Sequence, residues 1–142
     1  MDIQTIKFQA TDRAATEIET GCLVIGVFSD RPAREQLPEI DKATDSLLTE
    51  MAEEGELALG AGKTLMIHHP RGIKARRLLV TGLGKAGRFD DSAFVRSARG
   101  AGAALRRSRA TDAVCLLGLA ELKGRDAAWR TTQAALALDH AD

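Results

Sequence analysis

Apolar and polar positions fall into blocks along the chain, and the blocks follow two periods. Continuous apolar runs mark strands covered on both faces: Cys22-Leu-Val-Ile-Gly-Val-Phe28, Leu78-Leu-Val80 with Leu83, and Asp112-Ala-Val-Cys-Leu-Leu-Gly118. A looser alternation of Ile3, Ile6 and Phe8 with polar residues suits an edge strand over Met1 to Ala10. Thr11 to Thr20 follows as a turn with space for a second short strand. The first central strand ends at Ser29-Asp-Arg-Pro32. Beyond it Pro38 suits a first helical turn, Ile40, Ala43, Leu47 and Met51 recur at three to four residues, and Gly55 closes the pattern. One helix is therefore predicted from Pro38 to Gly55, as the crossover of a βαβ unit.

Thr64 to His69, stopped by Pro70, predicts a further strand. Pro70 to Ala75 is too short for a helical return, so that strand and the one from Arg76 to Leu83 are antiparallel neighbours and the sheet is mixed. Asp90, Asp91 and Ser92 supply cap chemistry for a helix reaching about Ser108. Its core face carries Phe94, Ala98, Ala101 and Leu105. Arg96, Arg99, Arg106 and Arg107 gather on the opposite side as an arginine ridge. A last, alanine-rich helix carries Trp129, Thr132, Leu136 and Leu138 and runs almost to Asp142 without a glycine cap or proline stop, the pattern of a chain cut inside or just after a helix.

Two glycine-rich stretches raise phosphate chemistry. Gly82, Gly84 and Gly87 spell GxGxxG where the strand is expected to end at Gly82, and such a turn aims backbone N–H groups at a pyrophosphate in a dinucleotide fold. Asp90 and Asp91 put negative charge where the phosphate would sit. The acidic residue expected about 20 positions further on is missing too, since Asp112 precedes the next strand rather than ending it. A plain tight turn fits better. Gly60-Ala-Gly-Lys-Thr64 fails as a P-loop because position 57 is Leu57 and a strand, not a helix, follows.

A chain of 142 residues with 44% apolar content supports one α/β domain with a proper core. No apolar run is long enough for a membrane span and the N-terminus lacks the pattern of a signal peptide, so a soluble, cytoplasmic protein without a membrane partner is expected. Cys22 and Cys115 lie inside apolar runs, where a thiol behaves as a small buried hydrophobe. His68 and His69, adjacent on a strand, point to opposite faces and cannot share an ion. The zero net charge conceals an asymmetry: five Lys+Arg against thirteen Asp+Glu through Gly62, and fifteen against seven from Lys63. No nucleophile with a neighbouring base and no metal-ligand spacing emerges, so no residue is assigned a catalytic or metal-binding role.

In order, Cys22-Leu-Val-Ile-Gly-Val-Phe28, then Gly62-Lys-Thr-Leu-Met-Ile-His-His-Pro70 through Arg76-Arg-Leu-Leu-Val-Thr-Gly-Leu-Gly-Lys85, and Glu121-Leu-Lys-Gly-Arg125 before the last helix resemble the N-terminal domain of the leucine aminopeptidase family. The resemblance implies a macro-domain-like, three-layer α/β/α sandwich with a mixed central sheet, residues 1–142 forming a single non-catalytic domain. It implies a separate C-terminal peptidase domain carrying the NTDAEGR signature and two divalent metals, manganese or zinc, which activate a water for peptide-bond attack. Its partners would be that domain and neighbouring subunits of a cytosolic homohexamer, with this domain shaping access to the active sites. A different class stays open: a phosphate-ligand module, binding DNA through Arg96, Arg99, Arg106 and Arg107, or a nucleotide or ADP-ribose through Gly82, Gly84 and Gly87.

Overall fold

A computed structural model describes residues 5–8 and 15–139. Its centre is a five-stranded sheet. In chain order the strands are β1 (Thr5–Phe8), β2 (Leu23–Phe28), β3 (Thr64–His68), β4 (Arg77–Gly84) and β5 (Asp112–Cys115). Across the sheet the order is β1-β5-β2-β4-β3, parallel except for β3, which runs antiparallel to β4. The mixed sheet and the antiparallel pair expected around Pro70 are both present. The N-terminal edge strand is described at β1, and the remainder of that expectation lies outside the described residues.

The two long apolar runs are explained by their position. β2 and β4 occupy the middle of the sheet and are covered twice. Leu23, Ile25 and Val27 of β2, with Leu78 and Val80 of β4, face a core closed by Ile40, Leu48 and Met51. Cys22, Val24 and Leu79 face the opposite core, closed by Ala98, Ala101 and Leu105. Among the described residues the first layer holds three short helices, α1 (Ala33–Gln36), α2 (Pro38–Ala43) and α3 (Leu47–Glu53). The other is built by α4 (Asp91–Arg107) and α5 (Ala127–Asp139). The molecule is a three-layer α/β/α sandwich.

Three local expectations need correction. The single helix predicted from Pro38 to Gly55 is two helices, because Asp45 and Ser46 take left-handed φ values of 54° and 64° between α2 and α3. The hydrophobic period survives the break since both halves face the same core. Asp41 becomes a buried cap for the second half, accepting from Thr49 N at 3.1 Å and Thr49 Oγ1 at 2.6 Å. β4 also runs two residues past Gly82. β5 stops at Cys115, and Leu117–Leu119 turns as a 3-10 helix. The crossover from β2 leads first to the far edge strand β3 and reaches β2's parallel neighbour β4 only through the hairpin.

Candidate functional site

A concavity lies at the carboxyl ends of the parallel strands. β2 leads into the α1–α3 layer and β5 into the α5 layer, so their chains leave the sheet on opposite faces. In open α/β sheets such a switch point leaves a crevice above the strand ends. Pairing between β2 and β5 is described only for Leu23 with Val114 and Val24 with Cys115, and a cleft of about 830 Å³ lies beyond it. Its floor is apolar: Gly26, Leu83, Leu116 and Leu37. Gly26 keeps that floor low, since a Cβ there would come within 3.1 Å of both Leu83 and Leu117.

The walls are polar and charged. On one side Arg31 stands 5.5 Å above the Phe28 ring with Glu35 nearby, and Gln36 ties the wall to the strand. Its amide donates to Phe28 O at 3.1 Å and Arg31 O at 2.8 Å, while its carbonyl accepts from Phe28 N at 2.7 Å. The facing wall is the 119–125 loop with Glu121 and Lys123, backed by Arg130 of α5. Arg125 is committed elsewhere: it grips Asp91 at 2.7 and 3.3 Å and lies 4.4 Å from the Trp129 ring. That hydrogen bond holds the Asp91 carboxyl below its ordinary range and raises the guanidinium. Arg130 Nη1 donates to Ala120 O at 3.2 Å, whereas its Nε is buried without a hydrogen-bond partner among the described residues.

The glycine run does not form an open phosphate turn. Gly82 lies inside β4, where a Cβ would meet Gly60 O at 2.4 Å, and its N–H donates to Lys63 O at 2.7 Å. Gly84 ends the strand and accepts from Ser29 N at 2.9 Å. Gly87 falls in a 3-10 turn, Ala86–Arg88, whose first amide, Ala86 N, donates to the Asp30 carboxylate at 3.0 Å. Asp90 serves as the cap of α4, accepting from Ala93 N at 2.8 Å. The same contacts explain the Gly60-Ala-Gly62 stretch: its backbone lies against β4 and α4, with Gly62 O at 2.1 Å from where a Cβ on Gly100 would stand.

The arginine ridge is only partly assembled. Arg96 and Arg99 are exposed and line a groove between α4 and α5 with Val95, Trp129 and Gln133; Arg107 is exposed at the helix end, and Arg106 is half-buried. On α5 the buried face is Ala134, Ala137 and Leu138, which turns Leu136 outward at 49% exposure. His68 and His69 sit exposed at the β3–β4 turn, and among the described residues no three His, Cys, Asp or Glu side chains form a possible metal cluster. Cys22 and Cys115 are buried and free, and burial pushes both thiols up from about 9 to about 12, a range in which neither is a nucleophile near neutral pH. Sequence reasoning missed the cleft because Arg31, Glu35, Lys123 and Arg130 are scattered along the chain. The available signal was their position just beyond the ends of predicted central strands.

The family model described as "Cytosol aminopeptidase family, N-terminal domain" matches residues 24–142. A probable cytosol aminopeptidase of Xanthomonas axonopodis pv. citri (strain 306) is 32% identical over 136 residues, which is 96% of this chain and 28% of that protein. One from Stenotrophomonas maltophilia (strain K279a) is 36% identical over 120 residues, 84% of this chain and 24% of that protein. The chain thus spans about a quarter of the length of these relatives. Among solved structures, the macrodomain of Thermus aquaticus DarG superposes with a TM-score of 0.64 at 11% identity, covering 96% of this chain and 91% of that one. The macrodomain of Mycobacterium tuberculosis DarG gives 0.62 at 14% identity, covering 95% and 90%. At such identities the likeness establishes a macro-domain-like fold.

Proposed function

The chain belongs to the cytosol aminopeptidase family, matching its N-terminal domain, and from that premise we propose that it is the non-catalytic domain of a metal-dependent leucyl aminopeptidase. In this reading a separate peptidase domain releases N-terminal amino acids using two divalent metals, manganese or zinc. The present domain contacts that domain and neighbouring subunits of a homohexamer and shapes access to the active sites in the cytosol. The observation that carries the reading is the family match across 24–142, joined to relatives about four times as long as the region they share.

The described residues do not fit a two-metal centre, since no three candidate ligands converge, and no step of peptide hydrolysis is derived through them. Two deeply buried polar groups have structural tasks: Asp41 caps α3, and Ser97 Oγ donates within hydrogen-bond distance of both Gly82 O and Ala93 O at 2.9 Å. Among the described residues no helix is long and apolar enough to cross a membrane.

The test is a peptidase assay. Purified chain incubated with leucine p-nitroanilide and either manganese or zinc is expected to give no turnover, while a full-length relative assayed in parallel is expected to give turnover that a chelator abolishes. Chelator-sensitive hydrolysis by the purified 142-residue chain would overturn the reading.

A further inference from the structure

At the opposite end of the sheet from the cleft, another pocket gathers arginines from separate parts of the chain, and we propose that it binds a dianionic oxyanion, phosphate or sulfate, free or borne on a small ester. The pocket, about 310 Å³, lies where β2, β4 and β5 begin, at the lower end of the range for small-molecule sites. Strand register brings its parts together. Leu23 of β2 pairs with Leu78 of β4 and with Val114 of β5, so Gly21, Arg77 and Asp112 arrive side by side at the amino ends of the strands. Arg76 precedes β4, and Arg109 comes from the turn by which α4 returns the chain to β5.

The guanidinium groups are positioned without being neutralised. Arg77, half-buried, is fixed across the strand ends by donating from Nη1 to Gly21 O at 3.0 Å. Arg76 and Arg109 are exposed, and among the described residues neither side chain has a hydrogen bond or an ion pair. Asp112, the carboxylate beside them, is turned inward. One of its oxygens accepts from Gly21 N at 3.1 Å and the other from Thr20 Oγ1 at 3.1 Å, so both are spent on the turn before β2. Gly21 keeps that turn tight, since a Cβ there would stand 3.0 Å from both Asp112 O and Asp112 Oδ1. Glu19, the other carboxylate, is exposed, and no ion pair is described for it. Three guanidiniums against two carboxylates leave an excess of one positive charge, with donors in surplus over free acceptors. Arginine forks suit the oxygens of phosphate or sulfate, and a doubly charged anion interacts with such a field about twice as strongly as a singly charged one.

The inference does not rest on the aminopeptidase reading, so failure of either leaves the other standing. NMR titration of the isotope-labelled full chain with inorganic phosphate, sulfate, methyl phosphate and nitrate, at fixed ionic strength, tests it. The divalent oxyanions are expected to give saturable shifts at Gly21, Arg76, Arg77 and Arg109, with a dissociation constant of about 1–10 mM. Methyl phosphate binding more tightly than phosphate would place the oxyanion on an ester, and the reverse would make it the free ion. Nitrate should give no saturable shift. Arg76→Ala combined with Arg109→Ala should weaken binding by about tenfold or more without disturbing the fold, since both side chains are exposed and make no described contact. Glu19→Gln should tighten binding about two- to threefold by removing a negative charge. Arg99→Ala, in the groove between α4 and α5, should leave it unchanged. The absence of saturable shifts with phosphate and sulfate would overturn the proposal. So would an equal response to nitrate, indifference to the double substitution, or weaker binding in the Glu19→Gln variant.

Discussion

Gly100 lies in the middle of α4 where intrinsic propensity alone disfavours glycine, and its neighbours give the reason. The backbone of Gly62 passes so close that a Cβ would sit 2.1 Å from a carbonyl oxygen, with no flexible side chain to yield. Gly100→Ala should therefore destabilise by about 1–3 kcal/mol through overpacking, read as a melting temperature lowered by several degrees. Gly87→Ala is the control: nothing lies within 4 Å of that position, and its effect should stay within about 0.5 kcal/mol. Two glycines of the GxGxxG pattern differ in the same way, Gly82 being crowded by Gly60 O at 2.4 Å from a Cβ position while Gly87 faces open space. That distinction was out of reach of the sequence, because the atoms that exclude a side chain at Gly82 and Gly100 belong to residues 59–62, remote in the chain.

At the scale of elements, the break between α2 and α3 is held by a residue far from it. Arg71 donates from Nε to Thr44 O at 2.6 Å and from Nη2 to Asp45 O at 2.9 Å, taking up carbonyls that a continuous helix would have used. Its contact with Glu50 at 3.2 Å is between half-exposed side chains and adds little. Arg71→Ala should cost about 1–2 kcal/mol from the lost charge-assisted bonds, and Glu50→Ala less than about 0.5 kcal/mol, both measured by urea denaturation. The helical period found Ile40 and Met51, which are buried, but it named Leu47, which is only partly buried, in place of Leu48, which is fully buried. The interruption was not legible, since Arg71 and the close approach of Gly72 to Ala43 O enforce it from the next hairpin. By contrast the cap at Asp90, the helix start at Pro38 and the antiparallel pair around Pro70 were legible, being local. The cleft was not, because it exists only where separate loops meet.

For the molecule as a whole, the two buried thiols give a test of the core. Cys22 and Cys115 keep their protons in the folded state up to about pH 12, while in the unfolded chain they titrate near 9. Between those limits the folded state holds more protons, so the contribution of the neutral thiols is intact below about 9 and is lost as pH rises towards 12. The urea midpoint should fall over that window, and a Cys22→Ala, Cys115→Ala variant should show a shallower slope even if less stable overall. The chain contains no tyrosine to confuse the comparison. Unchanged slopes would mean that the thiols are not shielded from water. Helices on both faces of the sheet were foreseeable because β2, β4 and β5 carry apolar runs, a local signature of burial on both faces, and the mixed sheet because the connection from Pro70 to Ala75 is too short for a helical return.

Strand β1 pairs with β5 along Thr5–Asp112 to Phe8–Cys115. During biosynthesis its hydrogen-bonding partner is therefore translated more than a hundred codons later, and at roughly 5–20 residues per second the nascent amino-terminal strand waits on the order of 5–20 s for β5 to be made. Until β5 emerges from the ribosome, the flank of β2 that it will occupy is bare backbone, a docking edge open to chaperones or to a neighbouring nascent chain.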